Sequence, residues 1–195
     1  MINLKPGDVV IVNNWNGNFL SKSIRFFTKS WSHTALGFFP IVGTSAQVTN
    51  TVFEANLLIG ITDWEKMFND SNYDLRVYRW TRSVGIGQEA MCFQQFNEYN
   101  ANVYGYWQLP YFIWRWICEG LHLPKRFYKK NFFPKNEICT EILYTGFIRL
   151  KDMTVNAILA KIGRDQFTVH PGDIIAISEE LVKAGMLERI YNRER

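Results

Sequence analysis

The chain has 195 residues, of which 47% are hydrophobic and 21% are charged, and this balance excludes an intrinsically disordered protein. We expect one domain, 1–195, because the length suits a single core and no Gly/Ser-rich or Pro-rich linker divides the chain. The net charge of +4 is too mild to select among anionic lipid, glycan and nucleic acid.

The N-terminal half has the pattern of a small β-sheet. Pro6-Gly7-Asp8 is a turn signal, and the apolar run at 9–12 predicts a short buried strand. Apolar residues at helical spacing then predict a helix over 18–29. Three further strands are predicted at 32–39, 51–58 and 73–80.

The rest of the chain is predicted to be helical. Helices are expected at 83–100, at about 109–121, from Cys139 onward and from Pro171 onward, where a proline at the helix start costs no hydrogen bond. The sum is an α+β fold, a small antiparallel sheet or partial barrel packed with helices.

The spacing of the cysteines and the first residues of the chain give expectations for metal binding, disulfide bonds and cellular location. The three cysteines form no paired pattern and no Cys/His cluster, so we expect neither a disulfide framework nor a metal site. The first residues lack the features of a secretory signal, and no run approaches the ~18 apolar residues of a membrane span. We therefore expect a protein without a transmembrane helix that is cytoplasmic or is released without a secretory signal.

Three residues have the chemistry of a cysteine nucleophile and its partners: Cys139, His33 and Glu54. A hairpin that turns at Gly43-Thr44 would set His33 directly opposite Glu54, where Cβ atoms are about 4.5–5.5 Å apart. The Glu54 carboxylate would then accept a hydrogen bond from one nitrogen of the His33 ring. Pro40 lies within this hairpin and is expected at an edge or a bulge.

The position of Cys139 favours a thiolate. Asn136 is a good N-cap, which would place Cys139 in the first helical turn, where unpaired N–H groups and the helix dipole stabilise negative charge. A neighbouring imidazolium would lower the thiol pKa further from about 8.5. The Cys139 N–H would donate to an oxyanion, and Tyr104, Asn14 and Asn16 are candidates for the second donor.

The same residues also have an ordinary structural interpretation. Cys139 shares helical spacing with apolar neighbours and is equally consistent with a small buried hydrophobe, and single strand histidines are commonly structural. The combination of all three residues, each in the context its role requires, favours the catalytic interpretation. Cys92 and Cys118 lie on apolar helical stripes and are predicted to be core residues, while His122 and His170 are expected in loops or at helix ends.

The segment 104–134 combines many aromatic residues with Lys125, Arg126, Lys129 and Lys130. One interpretation is an aromatic core helix followed by a solvated basic loop. The other is a surface for peripheral membrane contact, with aromatic rings at headgroup depth and basic residues on anionic lipid. Nucleic acid ranks third, because no RNA-binding signature is present.

These motifs and their order resemble the circularly permuted NlpC-like papain-fold superfamily of cysteine peptidases and amidases, in particular its YiiX-like branch. The matching segments are Pro-Gly-Asp before a strand, Ser-His-x-Ala, Phe-Glu-Ala, Cys-Thr-Glu and a late Pro-Gly-Asp, at 6–8, 32–35, 53–55, 139–141 and 171–173. The chain departs from the pattern at Thr140, where serine is frequent, and at Tyr104-Gly105, where a Tyr-Asp pair is expected at the pocket floor.

The resemblance implies a permuted papain-like fold with Cys139 as nucleophile, His33 as general base and Glu54 as the residue that orients His33. It implies a thiol hydrolase or acyltransferase that acts on an amide or ester bond of a peptide, peptidoglycan or lipid-linked acyl substrate. No cofactor is implied. The alternative is a non-catalytic membrane- or partner-binding module that retains the fold.

Overall fold

The structure is a computed structural model that describes residues 2–16, 22, 25–26, 31–42, 48–55, 59–100, 109–124, 127, 139–164 and 169–194. Its strands are β1 (Val9–Asn14), β2 (His33–Gly37), β3 (Ile41–Val42), β4 (Val48–Thr49), β5 (Thr51–Ala55), β6 (Ile59–Asp63), β7 (Tyr73–Trp80) and β8 (Leu187–Arg193). Its helices are α1 (Trp64–Asn69), α2 (Gln88–Tyr99), α3 (Leu109–Gly120), α4 (Cys139–Arg149), α5 (Met153–Ile162) and α6 (Pro171–Lys183).

Six of the strands form one antiparallel sheet in the order β6-β5-β2-β1-β7-β8, and β3 pairs with β4 separately. β1 and β2 are interior strands, which explains why 9–12 is apolar throughout: all four residues are at most 1% exposed. Pro40 lies between β2 and β3, outside the ladders, as a residue without a backbone N–H requires.

Both faces of the sheet are buried, because successive side chains of a strand point to opposite sides. On one face, Val9, Ile11 and Leu36 belong to the larger core, which also contains the buried residues of α2, α4, α5 and α6. On the other face, Val10, Val12 and their neighbours pack with Trp64 of α1. The sheet is thus the middle layer of an α+β fold, and the fold class predicted from the sequence is confirmed.

Helix α4 is held against β2 by apolar packing and by a close approach to α2. Ile142, Leu143 and Phe147 are at most 2% exposed. A Cβ on Gly146 would lie 2.9 Å from the Gln95 side-chain nitrogen, so a larger residue there would require the Gln95 amide to shift. The same Gln95 nitrogen donates to the Ile142 carbonyl oxygen at 2.8 Å, which fixes α4 along its axis.

Most of the predicted elements are confirmed. The strands at 9–12, 32–39 and 73–80 are present, and so are the helices that begin near 109, at Cys139 and at Pro171. The strand at 51–58 is confirmed over Thr51–Ala55, and 56–58 lie outside the described residues. Of the helix at 18–29, residues 22 and 25–26 are described and are helical. The helix at 83–100 begins only at Gln88, because Gly85 and Gly87 have positive φ.

The prediction that the rest of the chain is helical is wrong at the C-terminus. Helix α6 ends at Lys183, Gly185 has φ +68°, and Leu187–Arg193 then forms β8 at the edge of the sheet beside β7. Its charged residues suit an edge strand, which solvent reaches on one side. The sequence prediction also did not include β6, α1 and α5.

The predicted hairpin register is wrong by two residues. Val42 pairs with Val48, so five residues join β3 and β4 where the prediction had a two-residue turn at Gly43-Thr44. In the main sheet the partner of Glu54 is Ala35, and His33 lies diagonally from Glu54. Because side chains alternate with a period of two, this shift keeps His33 and Glu54 on the same face.

The turn before α2 supplies a test of the packing at the far end of α4. Gly85 has φ +53°, and a Cβ there would overlap the carbonyl oxygen of Leu150. We expect Gly85→Ala to lower the free energy of unfolding by about 3 kcal/mol, from about 1 kcal/mol of backbone strain and the rest from overpacking. Chemical denaturation measures this loss.

Gly163→Ala is the matched control, because Gly163 has φ +70° and open space around its Cα. It should show the backbone cost alone, about 1 kcal/mol. Equal losses in the two variants would contradict the close contact between Gly85 and Leu150.

Candidate active site

His33 and Glu54 form a partly buried hydrogen-bonded pair between two adjacent strands. The distance from His33 Nε2 to Glu54 Oε2 is 2.7 Å, and the two side chains are 17% and 1% exposed. The small side chain of Ala35, the residue opposite Glu54, leaves the carboxylate room to turn toward His33. Thr62 of β6 donates to the other carboxylate oxygen at 2.6 Å. Both oxygens of Glu54 are therefore bound, and the ring of His33 has a fixed orientation.

Cys139, the first residue of α4, contacts this pair from the helix side. Its side chain is buried, at 4% exposure. The thiol lies close enough to the ring of His33 and to Thr34 for both residues to lower its pKa. Since Nε2 of His33 faces Glu54, Nδ1 is the ring nitrogen left for the sulfur. The three residues predicted from the sequence are therefore brought together in the order Cys139, His33, Glu54.

The electrostatics of the pair favour a thiolate beside an imidazolium. Burial alone would raise the pKa of Cys139, but the charge of His33, its hydrogen bond and those of Thr34 outweigh burial and lower that pKa. Burial alone would lower the pKa of His33, but the charge of Cys139 and the hydrogen bonds to Cys139 and Glu54 raise it to about 10. Both shifts favour the state in which the proton is on His33 and the sulfur is a thiolate.

The position of Cys139 at the start of α4 adds to this effect. The first N–H groups of a helix have no partner within the helix, and the dipole is positive at this end. The N–H of Cys139 is thus a candidate donor to an oxyanion. Asn136, the predicted N-cap, and Tyr104, one candidate for the second donor, lie outside the described residues.

The other two oxyanion-donor candidates lie at the end of β1 and in the turn after it. Asn14 donates its side-chain amide to the Tyr73 hydroxyl at 3.2 Å, and Asn16 is exposed. Tyr73 itself is near the acidic residues of the site: burial, then the charges of Asp70 and Glu54, raise its pKa. Asn14 is thus tied to the network around Glu54.

The remaining cysteines and histidines have structural positions. Cys92 is fully buried, its thiol lies 3.5 Å from the Gly37 carbonyl oxygen, and burial raises its pKa to about 12. Cys118 is buried as well. His170 caps α6 by accepting from the Asp173 N–H, and His122 follows α3 with φ 54°. The expectations for these four residues are confirmed.

Two residues of the site were missed by sequence reasoning. Thr34 lies beside the thiol and helps to lower its pKa, and Thr62 donates to Glu54. Thr34 directly follows His33, and its role depends on which helix packs above it, so no sequence signal marks it. Thr62 would have been found only if β6 had been recognised as the next strand of the hairpin.

Metal and membrane signatures are absent from the part of the chain that the structure describes. No group of three or more His, Cys, Asp or Glu side chains there could hold a metal ion. None of the described helices is long and apolar enough to cross a membrane.

Comparison with known proteins identifies a similar fold. No family model and no curated protein sequence matches the chain. The crystal structure of the metalloprotein YiiX from Escherichia coli O157:H7 superimposes with a TM-score of 0.56 at 15% identity, and the match covers 100% of both chains. The chain shares the fold of YiiX, and the permuted papain-like fold expected from the sequence is confirmed at that level.

The electrostatics of the site predict how Cys139 ionises. We expect the thiolate absorbance of Cys139, taken as wild type minus Cys139→Ser, to appear with a midpoint below the ordinary value of about 8.5. In His33→Ala the midpoint should rise above that value, because burial then acts without the imidazolium. Ultraviolet absorbance against pH measures both.

Cys92 is an internal control, since its pKa of about 12 keeps it silent in the same range. An unchanged Cys139 midpoint in His33→Ala would refute the interaction of the thiol with the imidazole.

Proposed function

We propose that the protein is a cysteine-dependent hydrolase or acyltransferase that attacks an amide or ester carbonyl and forms an acyl-Cys139 intermediate. The observation that supports it is a partly buried imidazole that hydrogen-bonds to a carboxylate at 2.7 Å and lies beside a thiol whose pKa it lowers. A perturbed thiol beside an oriented base is the arrangement that activates a cysteine nucleophile.

In the first half of the reaction, the Cys139 thiolate attacks the carbonyl carbon, and the carbonyl electrons move to the oxygen. The N–H of Cys139, at the start of α4, is placed to donate to this oxyanion. When the intermediate collapses, the bond to the leaving group breaks, and the His33 imidazolium gives its proton to the departing nitrogen or oxygen. The products of this half are the free leaving group and the acyl-enzyme.

In the second half, neutral His33 takes a proton from water or from another acceptor, whose oxygen or nitrogen attacks the thioester. The acyl group leaves with the acceptor, and the sulfur returns as the thiolate beside His33. Water gives hydrolysis, and an alcohol or amine gives acyl transfer. Glu54 is a positioning residue throughout, because it holds the tautomer and the angle of the His33 ring, and Thr62 in turn holds Glu54.

The sequence leaves three substrate classes open: peptide, peptidoglycan and lipid-linked acyl compounds. The surface of α3 favours the lipid-linked class. Trp114, Ile117 and Leu121 are 48%, 40% and 65% exposed and recur at helical spacing, so they form one apolar stripe. Lys125 and Arg126 follow in the sequence. Exposed aromatic and aliphatic side chains beside basic residues suit the headgroup region of an anionic membrane. Peripheral membrane contact through 104–134 is therefore part of the proposal.

The competing proposal is a non-catalytic module that keeps this fold for binding a membrane or a protein. The buried carboxylate of Glu54 argues against it, because it carries a desolvation cost that a purely structural site would avoid with an apolar residue.

The acyl-enzyme is tested with p-nitrophenyl acetate, a small activated ester. Wild type should release p-nitrophenolate in a burst of one equivalent per protein and gain the mass of an acetyl group on the Cys139 peptide. Cys139→Ala should give no burst. Glu54→Gln should slow the burst by on the order of 10²-fold and change its pH profile, because the neutral amide no longer holds His33 as an imidazolium.

Thr62→Val is the milder companion variant, since it removes one hydrogen bond to Glu54 and keeps the side-chain volume. Acetylation of other residues at the same rate as Cys139, or a burst that survives in Cys139→Ala, would exclude the proposed nucleophile.

The lipid preference is tested by sedimentation with vesicles that contain phosphatidylserine. Leu121→Gln should weaken binding several-fold, because it places an amide in the apolar stripe. Met153→Gln is the matched control, since Met153 is 88% exposed on α5, away from the stripe. If the protein bound peptidoglycan fragments and did not bind vesicles, peptidoglycan would replace lipid as the preferred substrate class.

A further inference from the structure

A cavity of about 670 Å³ opens between residues at the end of β1, residues just before β2 and the start of α6. Its walls combine aromatic rings with two cations. Trp15 and Phe26 contribute rings, Trp31 closes the side next to β2, and Lys22 and Arg25 line it from the helical residues between β1 and β2. The chemistry proposed above does not use any of these side chains.

The cavity lies on the same face of the sheet as Cys139. On β1, Ile11 pairs with Thr34, which lies beside the Cys139 thiol. Asn13, which lines the cavity, is two residues beyond Ile11 and therefore projects to the same side. Trp31, which also lines the cavity, packs against the same core as Cys139. A substrate whose carbonyl reaches Cys139 would thus extend into this space.

The guanidinium of Arg25 has a fixed orientation, but at least one of its N–H donors has no acceptor among the described residues. Its guanidinium lies 4.9 Å from the centroid of the Trp15 ring and makes one long hydrogen bond, 3.5 Å from Nη1 to Asn13 Oδ1. Its Nε–H has no acceptor among the described residues. A guanidinium carries five N–H donors in a planar fork that matches an oxyanion. Lys22 is exposed and has no ion pair within the described part of the chain.

Two acidic residues near the cavity hydrogen-bond to residues other than Arg25. Asp74 accepts from the Trp15 indole at 2.6 Å and from the Asn13 amide at 3.2 Å, and the Asn13 side-chain oxygen in turn accepts from Arg25. Asp173 is engaged by Arg164 and by the N–H of His170. His170 and Asp173 form a capping box, in which each side chain accepts from the backbone N–H of the other residue. The start of α6 therefore contributes Gly172 to the cavity wall and little additional positive charge.

We propose that this cavity is a subsite for a negatively charged group of the substrate, with Arg25 and Lys22 as the residues that select it. The inference rests on the proposed function and names the substrate class: an acyl compound that carries an anionic group, such as a carboxylate, close to the carbonyl that Cys139 attacks. Trp15 and Trp31 pack against the apolar part of that compound, and Asn13 holds Arg25 in place.

Two alkylating agents that differ mainly in charge test the subsite without knowledge of the substrate. Iodoacetate and iodoacetamide both alkylate a thiolate, and iodoacetate carries the carboxylate. We expect the ratio of their rates at Cys139, measured by peptide mass spectrometry, to exceed the ratio for N-acetylcysteine amide. Arg25→Gln and Lys22→Gln should each lower the ratio about two- to threefold at low salt, and added KCl should lower it in wild type.

Lys151→Gln is the matched control, because it removes the same charge at the opposite end of α4 from Cys139, and it should leave the ratio unchanged. Thermal melting checks that Arg25→Gln is folded, and the exposed Lys22 supplies a second variant that does not depend on packing. Fast alkylation by iodoacetamide with a ratio that neither variant changes overturns the anionic subsite alone. Slow alkylation by both agents with an ordinary thiol pH profile overturns the proposed function and the subsite with it.

Discussion

The packing of α4 across β2 is the contact on which the candidate site depends, because it joins Cys139 to His33. The buried side chains of Ile142, Leu143 and Phe147 each contribute about 1.5–3 kcal/mol of apolar burial. The thiolate and the imidazolium are themselves buried, and their desolvation opposes much of their attraction. Apolar packing of the helix is therefore what holds the two polar groups together, and their chemistry exploits a geometry that other residues stabilise.

The buried Glu54 illustrates the same balance on the opposite side of His33. A carboxylate taken out of water is costly unless its oxygens are hydrogen-bonded, and here His33 and Thr62 bind one oxygen each. These partners come from β2 and β6, the two strands on either side of β5. The sheet thus fixes the distance between partners, while the side chains need only adopt ordinary rotamers. Rigid strands position a site more accurately than loops do.

The prediction from the sequence was most accurate where periodicity was strong. The apolar run at 9–12 and the alternation at 73–80 identified β1 and β7, and the residue types at positions 33, 54 and 139 identified the candidate site. The register of β2 on β5 was wrong because the length of the connection through 43–47 is not encoded in a local turn signal. The error was an even number of residues, so the faces were still correct. An odd error would have separated His33 from Glu54.

The sequence by itself determined the types and the order of the reactive residues, the apolar faces of the strands, and the helix start at Cys139. These are properties of neighbouring residues, and local physics is sufficient for them. Only the tertiary structure decided that Thr34 and Thr62 complete the site, and that Arg25, Asn13 and Trp31 surround one cavity. Such groupings join segments that are distant along the chain, and they depend on strand order and on helix placement. The register and the approach of α4 to β2 are set by the packing of the whole core, which no local pattern specifies.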